Sequence, residues 1–159
     1  MSNLTSNSTI SLRKLTSDNF IDVMNLNVAP EDRQFLATND RSMAEAHFSD
    51  QAWYRAIYAD DTPVGFVLLA DEECGTRKDP DPNCALWRFM IDERYQRLGF
   101  GGAALRLVVE HVRTHERATM LLTSYLPGNI SAENFYLKFG FKLYSGETPH
   151  GEIGLVLDL

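Results

Sequence analysis

The stretch CALWRFMIDERYQRLGFGGAALRLVVEHV (residues 84–112) contains an apolar run, a glycine-rich gap and a helical repeat in direct succession. The run CALWRFMI (84–91) has the length and apolar character of a buried strand. From Gly102 onward, apolar residues recur at helical spacing over about fourteen residues, namely Ala103, Leu105, Val108, Val109 and Val112. The run ATMLLTSY (118–125) indicates a second buried strand. Because a strand, a helix and a strand follow one another, we expect a right-handed crossover between two parallel strands.

The rest of the chain shows strand and helix signals on both sides of this unit. Strand patterns occupy ISLRKL (10–15), WYRAIYA (53–59), VGFVLLA (64–70), FKLYSGE (141–147) and EIGLVLDL (152–159), and helical patterns occupy DNFIDVMNL (18–26), PEDRQFLAT (30–38), RSMAEAHF (41–48) and SAENFYLKFG (131–140). The second and third of these strands, and the last two, are expected to form antiparallel hairpins. This order of elements predicts an α+β domain with a mixed sheet. We expect the polar residues 1–9 to form a flexible tail and residues 10–159 to form a single domain.

The composition is that of a soluble globular protein with an acidic balance. The chain has 159 residues, 44% of them apolar, and a formal net charge of −7 at pH 7. An acidic chain lacks the basic surface that binds phosphate backbones, so no nucleic acid partner is expected. Apolar runs are too short to span a membrane and the first ten residues lack signal-peptide features, so we expect no membrane partner and a cytoplasmic location. The two cysteines, Cys74 and Cys84, lack a CxxC spacing and are expected to be free thiols.

Three glycines, Gly99, Gly101 and Gly102, stand where the strand at 84–91 gives way to the helix. A helix N-terminus exposes unpaired N–H groups at the positive end of the helix dipole. Without side chains at these positions, the N–H groups can converge on phosphate oxygens. The GK[ST] ending of a nucleotide P-loop is absent, and the G-x-G-x-x-G dinucleotide fingerprint is not met. The segment therefore predicts a phosphate or pyrophosphate site of another kind.

The segment QRLGFG (96–101) resembles the acetyl-CoA loop of the GNAT acyltransferase superfamily, whose motif is [Q/R]-x-x-G-x-[G/A]. A second segment, GNISAENFYLKFGF (128–141), is similar to that family's asparagine, helix and tyrosine segment. Within the superfamily, the segments LRKLTSDNF, FLATN and GFVLLADE look most like the bacterial diamine and polyamine N-acetyltransferases, the spermine/spermidine branch. The resemblance implies a GNAT fold: a mixed, mostly antiparallel sheet of six to seven strands, flanked by about four helices, with splayed central strands.

The resemblance implies acetyl-CoA as the co-substrate. Backbone N–H groups of the glycine segment are expected to take the pyrophosphate, with the Arg97 side chain beside them. Residues 89–91 are expected to pair through backbone with the pantetheine arm, and the Ile91 N–H to polarise the thioester carbonyl. Asn129 and Asn134 are expected to hydrogen-bond the arm or nearby backbone, although turn chemistry also accounts for Asn129. The full expected cofactor-binding set is Phe89, Met90, Ile91, Gln96, Arg97, Leu98, Gly99, Phe100, Gly101, Gly102, Ala103, Asn129, Asn134 and Tyr136.

The implied reaction is direct attack of an amine on a thioester. An alkyl amine has a pKa near 10 and is mostly protonated at pH 7, so the site must remove a proton from it. It must also supply a proton to the leaving thiolate. By resemblance, Tyr136 is the expected acid, since a phenol pKa of about 10 lies near the thiol pKa of about 8.5. A carboxylate acting through water would suffice as the base, and the two we choose are Glu72, just after a strand, and Glu31, in the early helices. For each, a role as an ordinary surface carboxylate stays open. The carboxylates available are Glu31, Asp32, Asp40, Glu45, Asp71, Glu72 and Asp92.

The acceptor pocket is expected between the helices of residues 19–50, the loop 71–83 and the strand ends. Acidic residues there suit a small-molecule amine, and a polyamine or diamine is the first expectation. An aminoglycoside, an amino acid or a protein amine, a non-catalytic acyl-CoA-binding module, and a nucleotide-binding domain are the alternatives. Similar folds suggest a homodimer. His111 and His115 have a spacing that can bind metal on a helix, but no third ligand is evident in the sequence, so no metal is expected.

Overall fold

The computed structural model describes residues 4–76, 78, 81–146 and 148–159. Its strands are β1 (Ile10–Arg13), β2 (Ala52–Ala59), β3 (Thr62–Ala70), β4 (Cys84–Ile91), β5 (Met120–Tyr125), β6 (Lys142–Leu143) and β7 (Ile153–Asp158). Its α-helices are α1 (Phe20–Met24), α2 (Asn39–His47), α3 (Phe100–Val112) and α4 (Ile130–Phe139). Within these described ranges, no helix is both long and apolar enough to cross a membrane.

The seven strands form one sheet in the order β1-β2-β3-β4-β5-β7-β6. Neighbouring strands are antiparallel except β4 and β5, which are parallel because α3 connects them. The predicted mixed sheet, the β2–β3 hairpin and the parallel crossover are therefore confirmed. At the carboxyl end of the chain, β7 lies between β5 and β6.

The two central strands separate partway along their length. Their paired residues are Cys84 with Leu121, Ala85 with Leu122 and Leu86 with Thr123. Beyond Leu86, β4 continues beside β3 as far as Ile91, whereas β5 follows β7. A bulge accompanies the separation, since Leu86 and Arg88 pair with consecutive residues of β3 and leave Trp87 as the extra residue. Bulges bend a strand, which helps to carry β4 away from β5. The predicted splay of the central strands is confirmed.

The sheet is covered on both faces, which explains why β3 is almost continuously apolar. Alternate residues of β3 serve the two faces: Phe66 and Leu68 pack with α1 and α2, and Val67 and Leu69 pack with α3. The α3 side of the core also holds Phe100, Ala104, Leu105, Val108, Val109 and Val112. The helical spacing read from the sequence is thus the buried stripe of α3. Packing on both faces of the sheet fixes the position of β4 and therefore the position of the gap between β4 and β5.

The helix predicted over residues 30–38 does not form. Only a short 3-10 turn, Pro30–Asp32, is present there, and Thr38 is extended before α2 begins. A proline suits the first turn of a helix, but the chain must change direction within these residues to enter α2, which ends the turn early. The helix α3 also begins at Phe100, two residues before the predicted start, so Gly101 and Gly102 lie inside its first turn.

Residues 1–3 of the predicted tail lie outside the described residues. In the remainder of that segment, Thr9 N donates to Asp60 Oδ1 at 2.9 Å and Asp60 N donates to the Thr9 carbonyl at 2.8 Å. Leu4 packs against the core on the α3 side of the sheet. These contacts attach part of the segment to the turn between β2 and β3. The extent of the tail and the single-domain boundary stay predictions.

Candidate active site

A cleft of about 670 Å³ lies along the part of β4 that β5 has left. One wall is the β4 edge and the turn that follows it, and another is the face of α4. The segment between α1 and α2, hereafter the roof (residues 27–36), closes a third side. The lining residues are Val28, Ala29, Glu31, Asp32, Leu36, Phe89, Met90, Ile91, Tyr95, Gln96, Arg97, Gly99, Phe100, Gly101, Gly102, Asn129, Ser131, Ala132, Phe135, Tyr136 and Lys138.

The turn between β4 and α3 is shaped to present backbone N–H groups. Arg97 and Gly99 both have positive φ angles, 64° and 83°. The Gln96 side chain donates from Nε2 to the Ile91 carbonyl at 3.0 Å and ties the turn to the strand. The first intrahelical bond of α3 runs from Ala103 N to the Gly99 carbonyl, so the N–H groups before Ala103 precede the helical ladder. With the positive end of the helix dipole, this arrangement suits an anion.

Gly101, in the first turn of α3, keeps the cleft open at this point. A Cβ on Gly101 would lie 3.3 Å from Cε2 of Phe135 and 3.6 Å from Cγ1 of Ile91. A Cβ on Gly102 would meet only Nη1 of Arg106, at 3.8 Å. Gly101 thus allows α3, α4 and β4 to approach one another closely. The narrow cradle and its helix N-terminus fit a phosphate-bearing ligand such as coenzyme A.

The exposed edge of β4 offers backbone groups to the cleft. Asp92 N donates to the Val64 carbonyl at 2.9 Å, so the N–H at this position faces β3. N–H direction alternates along an antiparallel strand, which turns the N–H groups of Ile91 and Phe89 toward the gap left by β5. An extended ligand chain can pair with this edge in the manner of an added strand.

Tyr136 lies at the vertex where β4 and β5 separate. Its ring is buried and packs edge-on against Phe135 and Phe141. Burial raises the pKa of its hydroxyl to about 12, while a hydrogen bond with the Thr123 side chain acts in the opposite sense. Thr123 in turn donates from Oγ1 to the Leu86 carbonyl at 3.2 Å. The phenol is therefore protonated at neutral pH and held at the last paired position of the two strands.

A buried carboxylate joins the roof to the strand end. Asp92 is 2% exposed and accepts hydrogen bonds from Asn27 N at 2.9 Å and from Arg94 Nε at 2.7 Å. Burial acts to raise its pKa, but the hydrogen bonds from Arg94 and Asn27 outweigh it and hold the pKa below its usual value. Asp92 therefore stays ionised and sets the position of the roof, which carries Glu31 and Asp32 along the cleft.

Most of the residues predicted for the site line this one cleft. They are Glu31, Phe89, Met90, Ile91, Gln96, Arg97, Gly99, Phe100, Gly101, Gly102, Asn129 and Tyr136. Asn129 is buried and its Oδ1 accepts from Ala132 N at 3.1 Å, so it also caps α4, as the turn interpretation allowed.

Four predicted residues do not line the cleft. Leu98 packs against the hydrophobic core, and Ala103 stands one residue after the glycines that line the cleft. Asn134 is exposed on α4, about 100° around the helix from its neighbour Phe135, which does line the cleft. Glu72 follows β3 at the opposite end of the sheet, where its Oε2 accepts from Asp81 N at 2.9 Å. The described part of the loop 71–83 contributes no lining residue to this cleft either, and the acceptor pocket expected beside that loop stays a prediction.

The structure adds site residues that the sequence analysis did not assign. On α4, Ser131, Phe135 and Lys138 share one face of the helix and line the cleft. Their spacing of four and three residues could have indicated a common face. Thr123, the hydrogen-bond partner of Tyr136, follows three apolar residues at the start of β5. A polar residue at this position of a buried strand could have indicated a role in the site.

The cysteines do not belong to the cleft. Both are free thiols, as predicted, and they lie near the opposite end of β4. Burial and the neighbouring Asp71 carboxylate raise the pKa of Cys74 to about 11, and the same causes raise the pKa of Cys84. Thiols held in the protonated form are poor nucleophiles, which disfavours a covalent acyl-enzyme.

The site combines three features: splayed central strands, a glycine turn before α3, and a buried tyrosine where β4 and β5 separate. Together these features define an acyltransferase of the acetyl-CoA type. The family model described as Acetyltransferase (GNAT) family matches residues 13–141, and the chain belongs to this family. The chain is thus an acetyl-CoA-dependent N-acetyltransferase, and the resemblance seen in its motifs is confirmed.

Proteins similar to this chain have names that give different acceptors. It is 26% identical to a spermine/spermidine N(1)-acetyltransferase of Bacillus subtilis (strain 168), over 94% of this chain and 99% of the relative. An aminoglycoside acetyltransferase, AAC(6')-Ib, solved in complex with coenzyme A, superposes with a TM-score of 0.74 at 14% identity, covering 94% of this chain and 95% of that one. The ribosomal-protein-S18-alanine N-acetyltransferase of Escherichia coli superposes with a TM-score of 0.65 at 14% identity, covering 95% and 93%. The structural neighbours establish the fold.

Proposed function

We propose that this protein transfers the acetyl group of acetyl-CoA to a primary amine of a linear polyamine or diamine. The observation that carries the proposal is the division of charge within one cleft. Arg97 and Lys138 stand with the glycine turn and α4, and Glu31 and Asp32 stand on the roof. An anionic donor and a cationic acceptor can therefore enter the same cleft at oppositely charged walls.

The donor would be held at the glycine turn. The N–H groups at the start of α3 and the Arg97 guanidinium suit a pyrophosphate, because both offer donors to its oxygens. The edge N–H groups of Phe89 and Ile91 suit the amide-bearing arm of the donor. Ile91 N–H lies toward the gap and is our candidate for polarising the thioester carbonyl.

Tyr136 would act on the leaving sulfur as a neutral hydrogen-bond donor. Its pKa of about 12 exceeds that of a thiol, about 8.5, by about 3.5 units, so full proton transfer to the thiolate is uphill. The ordinary pKa values of a phenol and a thiol, about 10 and about 8.5, are nearly matched, and burial of Tyr136 is the reason for the larger difference. A protonated phenol at the vertex can still stabilise charge that develops on sulfur.

The acceptor would enter beneath the roof. Glu31 is exposed and Asp32 is half-buried, and both line the cleft with Val28 and Leu36. Carboxylates attract the ammonium groups of a polyamine, and the apolar residues beside them suit its alkyl segments. The relationship to a spermine/spermidine N(1)-acetyltransferase supports the same acceptor class. Glu31, directly or through water, is our candidate for receiving the amine proton, and Glu72 is not retained in this role because it lies outside the cleft.

A thiol-release assay with acetyl-CoA and a panel of amines tests the proposal. The panel contains spermidine, spermine, putrescine, an amino acid, an aminoglycoside and a peptide with a free N-terminus. We expect the linear polyamines or diamines to show the highest kcat/KM, by tenfold or more as an order of magnitude. A preference for the aminoglycoside, the amino acid or the peptide would overturn the acceptor assignment. If coenzyme A binds but none of these amines accelerates thiol release, the acceptor assignment is overturned as well. The expected homodimer and cytoplasmic location stay predictions.

A further inference from the structure

Five side chains that can bind a metal ion converge at the end of β4 remote from the cleft. They come from three separate parts of the chain: the turn after β3, the first residue of β4, and the end of α3 with the turn that follows it. The residues are Asp71, Cys74, Cys84, His111 and His115. None of the five lines the proposed active site, so the established activity does not account for the cluster.

Asp71 is the centre of the cluster. Its Oδ2 lies 3.1 Å from Nε2 of His111 and 3.1 Å from Nε2 of His115. The Cys74 Sγ lies 3.5 Å from the same oxygen. The ligand atoms of Asp71, Cys84 and His115 all lie within 4.8 Å of one another, and all three residues are buried. Buried polar side chains from distant positions therefore share one small volume.

Two of these separations are close to the edges of a tetrahedral zinc site. With Zn–N and Zn–O bonds of about 2.0 Å and Zn–S bonds of about 2.3 Å, tetrahedral geometry places N and O about 3.3 Å apart and S and O about 3.5 Å apart. The observed separations between Asp71 and the two histidines, 3.1 Å, lie close to the first of these values. His111 lies outside the set of ligand atoms that are mutually within 4.8 Å, so its ring must move toward Cys84 and His115 when the ion binds.

The surroundings of the two histidines also fit metal ligands. The Nδ1 atom of His115 is buried and has no hydrogen-bond partner within the described part of the chain, and a Glu73 carboxylate oxygen lies 3.7 Å from it. A histidine that binds metal through one nitrogen usually donates from the other to a carboxylate. His111 is held in place by Trp53, whose ring stacks on it at a centroid distance of 4.1 Å.

We propose that Asp71, Cys84, His111 and His115 form a structural Zn²⁺ site. On binding, Cys84 releases its thiol proton to solvent as the S–Zn bond forms. The thiolate and the Asp71 carboxylate then balance the two charges of the ion, which suits a buried location. Four protein ligands leave no open position, as in structural zinc sites. Cys74 lies outside the four and hydrogen-bonds Asp71. The ion would join β3, β4 and α3, a role independent of the proposed acceptor.

Cobalt substitution and metal analysis test the site on the full chain. Metal-free protein is titrated with Co²⁺, and a separate sample is loaded with Zn²⁺, passed through a desalting column and analysed for bound metal. We expect one ion per chain and a thiolate-to-cobalt charge-transfer band. Cys84→Ser should abolish the band and His115→Gln should weaken Zn²⁺ binding by about tenfold or more. Cys74→Ser, the matched control at the other thiol, should keep the band.

The titration of the unmodified protein makes the proposal falsifiable even if a variant fails to fold. Absence of the charge-transfer band in folded protein would overturn the site and leave Asp71 as a hydrogen-bonded hub for the histidines and thiols. Retention of the band in folded Cys84→Ser, or its loss in folded Cys74→Ser, would overturn the ligand assignment. Acetyl transfer is not a readout of these measurements, so failure of the zinc site and failure of the acceptor assignment are distinguishable.

Discussion

Thr123 donates a hydrogen bond from its Oγ1 to the carbonyl oxygen of Leu86 across 3.2 Å, and these two residues are the final pair that joins β4 to β5. The same threonine side chain hydrogen-bonds the hydroxyl of Tyr136. The vertex of the splayed strands and the phenol above it are therefore one hydrogen-bonded unit. Displacing either strand would displace the hydroxyl from the place where a thioester bound along β4 would end.

Tyr136→Phe should lower kcat by about 10²–10⁴-fold while the KM for acetyl-CoA changes little, because it removes only the hydroxyl that we propose acts on the leaving sulfur. Steady-state thiol release measures both constants. Tyr125→Phe is the matched control. Tyr125 is a buried tyrosine like Tyr136, but it lies on β5 and does not line the cleft. An unchanged rate in Tyr136→Phe would exclude the hydroxyl from catalysis.

The pH dependence of stability should report the buried phenol of Tyr136. Its pKa is about 12 in the folded protein and about 10 when unfolded, so its contribution is complete below pH 10 and is lost as the pH rises toward 12. The loss amounts to about 2.7 kcal/mol at most, from two pKa units. Urea unfolding of the wild type and Tyr136→Phe at several pH values measures it. If the free energy of unfolding falls equally steeply above pH 10 in both proteins, the raised pKa of Tyr136 is contradicted.

Gly101→Val should raise the Kd for coenzyme A by about tenfold or more, because its side chain must displace Phe135 or Ile91, which line the same cleft. Isothermal titration with coenzyme A measures the change, and circular dichroism checks the fold. Gly75→Ala is the control, since Gly75 has negative φ and a Cβ there meets only Asp50, at 3.4 Å. Wild-type affinity in a folded Gly101→Val protein would refute the cradle.

Glu31→Gln and Asp32→Asn should each raise the KM for spermidine by up to about fivefold, which corresponds to about 1 kcal/mol for a partly exposed charge pair. The KM for acetyl-CoA should not change, and the effect should shrink in high salt. Asp61→Asn is the control, because Asp61 is almost fully exposed in the turn between β2 and β3. If Glu31 also receives the amine proton, its variant alone should lower kcat. If all three substitutions raise the KM for spermidine equally, the cause is the net charge of the protein and not the carboxylates of the roof.

Asp92→Ala should destabilise the fold by about 1–3 kcal/mol, since it removes the acceptor for the Asn27 N–H and for Arg94. The ionised carboxylate has a lowered pKa, so its contribution is present above pH 4, about its unfolded pKa, and is lost as the pH falls through the folded value. Urea unfolding at pH 7 and pH 3 measures the difference, which should be smaller at pH 3. A destabilisation independent of pH would contradict this.

Much of the fold was predictable because its signals are local. The apolar period of α3, the apolar runs of β3 to β5 and the turn chemistry between β2 and β3 each depend on neighbouring residues. The stretch from residue 84 to 112 therefore predicted a strand, a glycine turn and a helix in the correct order. The helix at 30–38 failed because the direction of the chain there depends on where α2 must begin.

The site was predictable only in part, for the same physical reason. The glycine motif and Tyr136 belong to short contiguous segments, and the structure brings both to one cleft. Glu72 was proposed as a base because it follows a strand, but an antiparallel hairpin sends the end of β3 away from the end of β4. Asn134 was proposed from its motif, yet one step along a helix turns a side chain by about 100°.

By itself, the sequence determined the order of the elements, the position of the glycine turn and the family of the protein, because each of these rests on contiguous residues and short-range sterics. Only the tertiary structure decided which carboxylates line the cleft, that burial raises the pKa of Tyr136 to about 12, and that Asp71 lies beside Cys84, His111 and His115. These features depend on desolvation and on contacts between residues distant in the chain, and both arise when the sheet closes around its core.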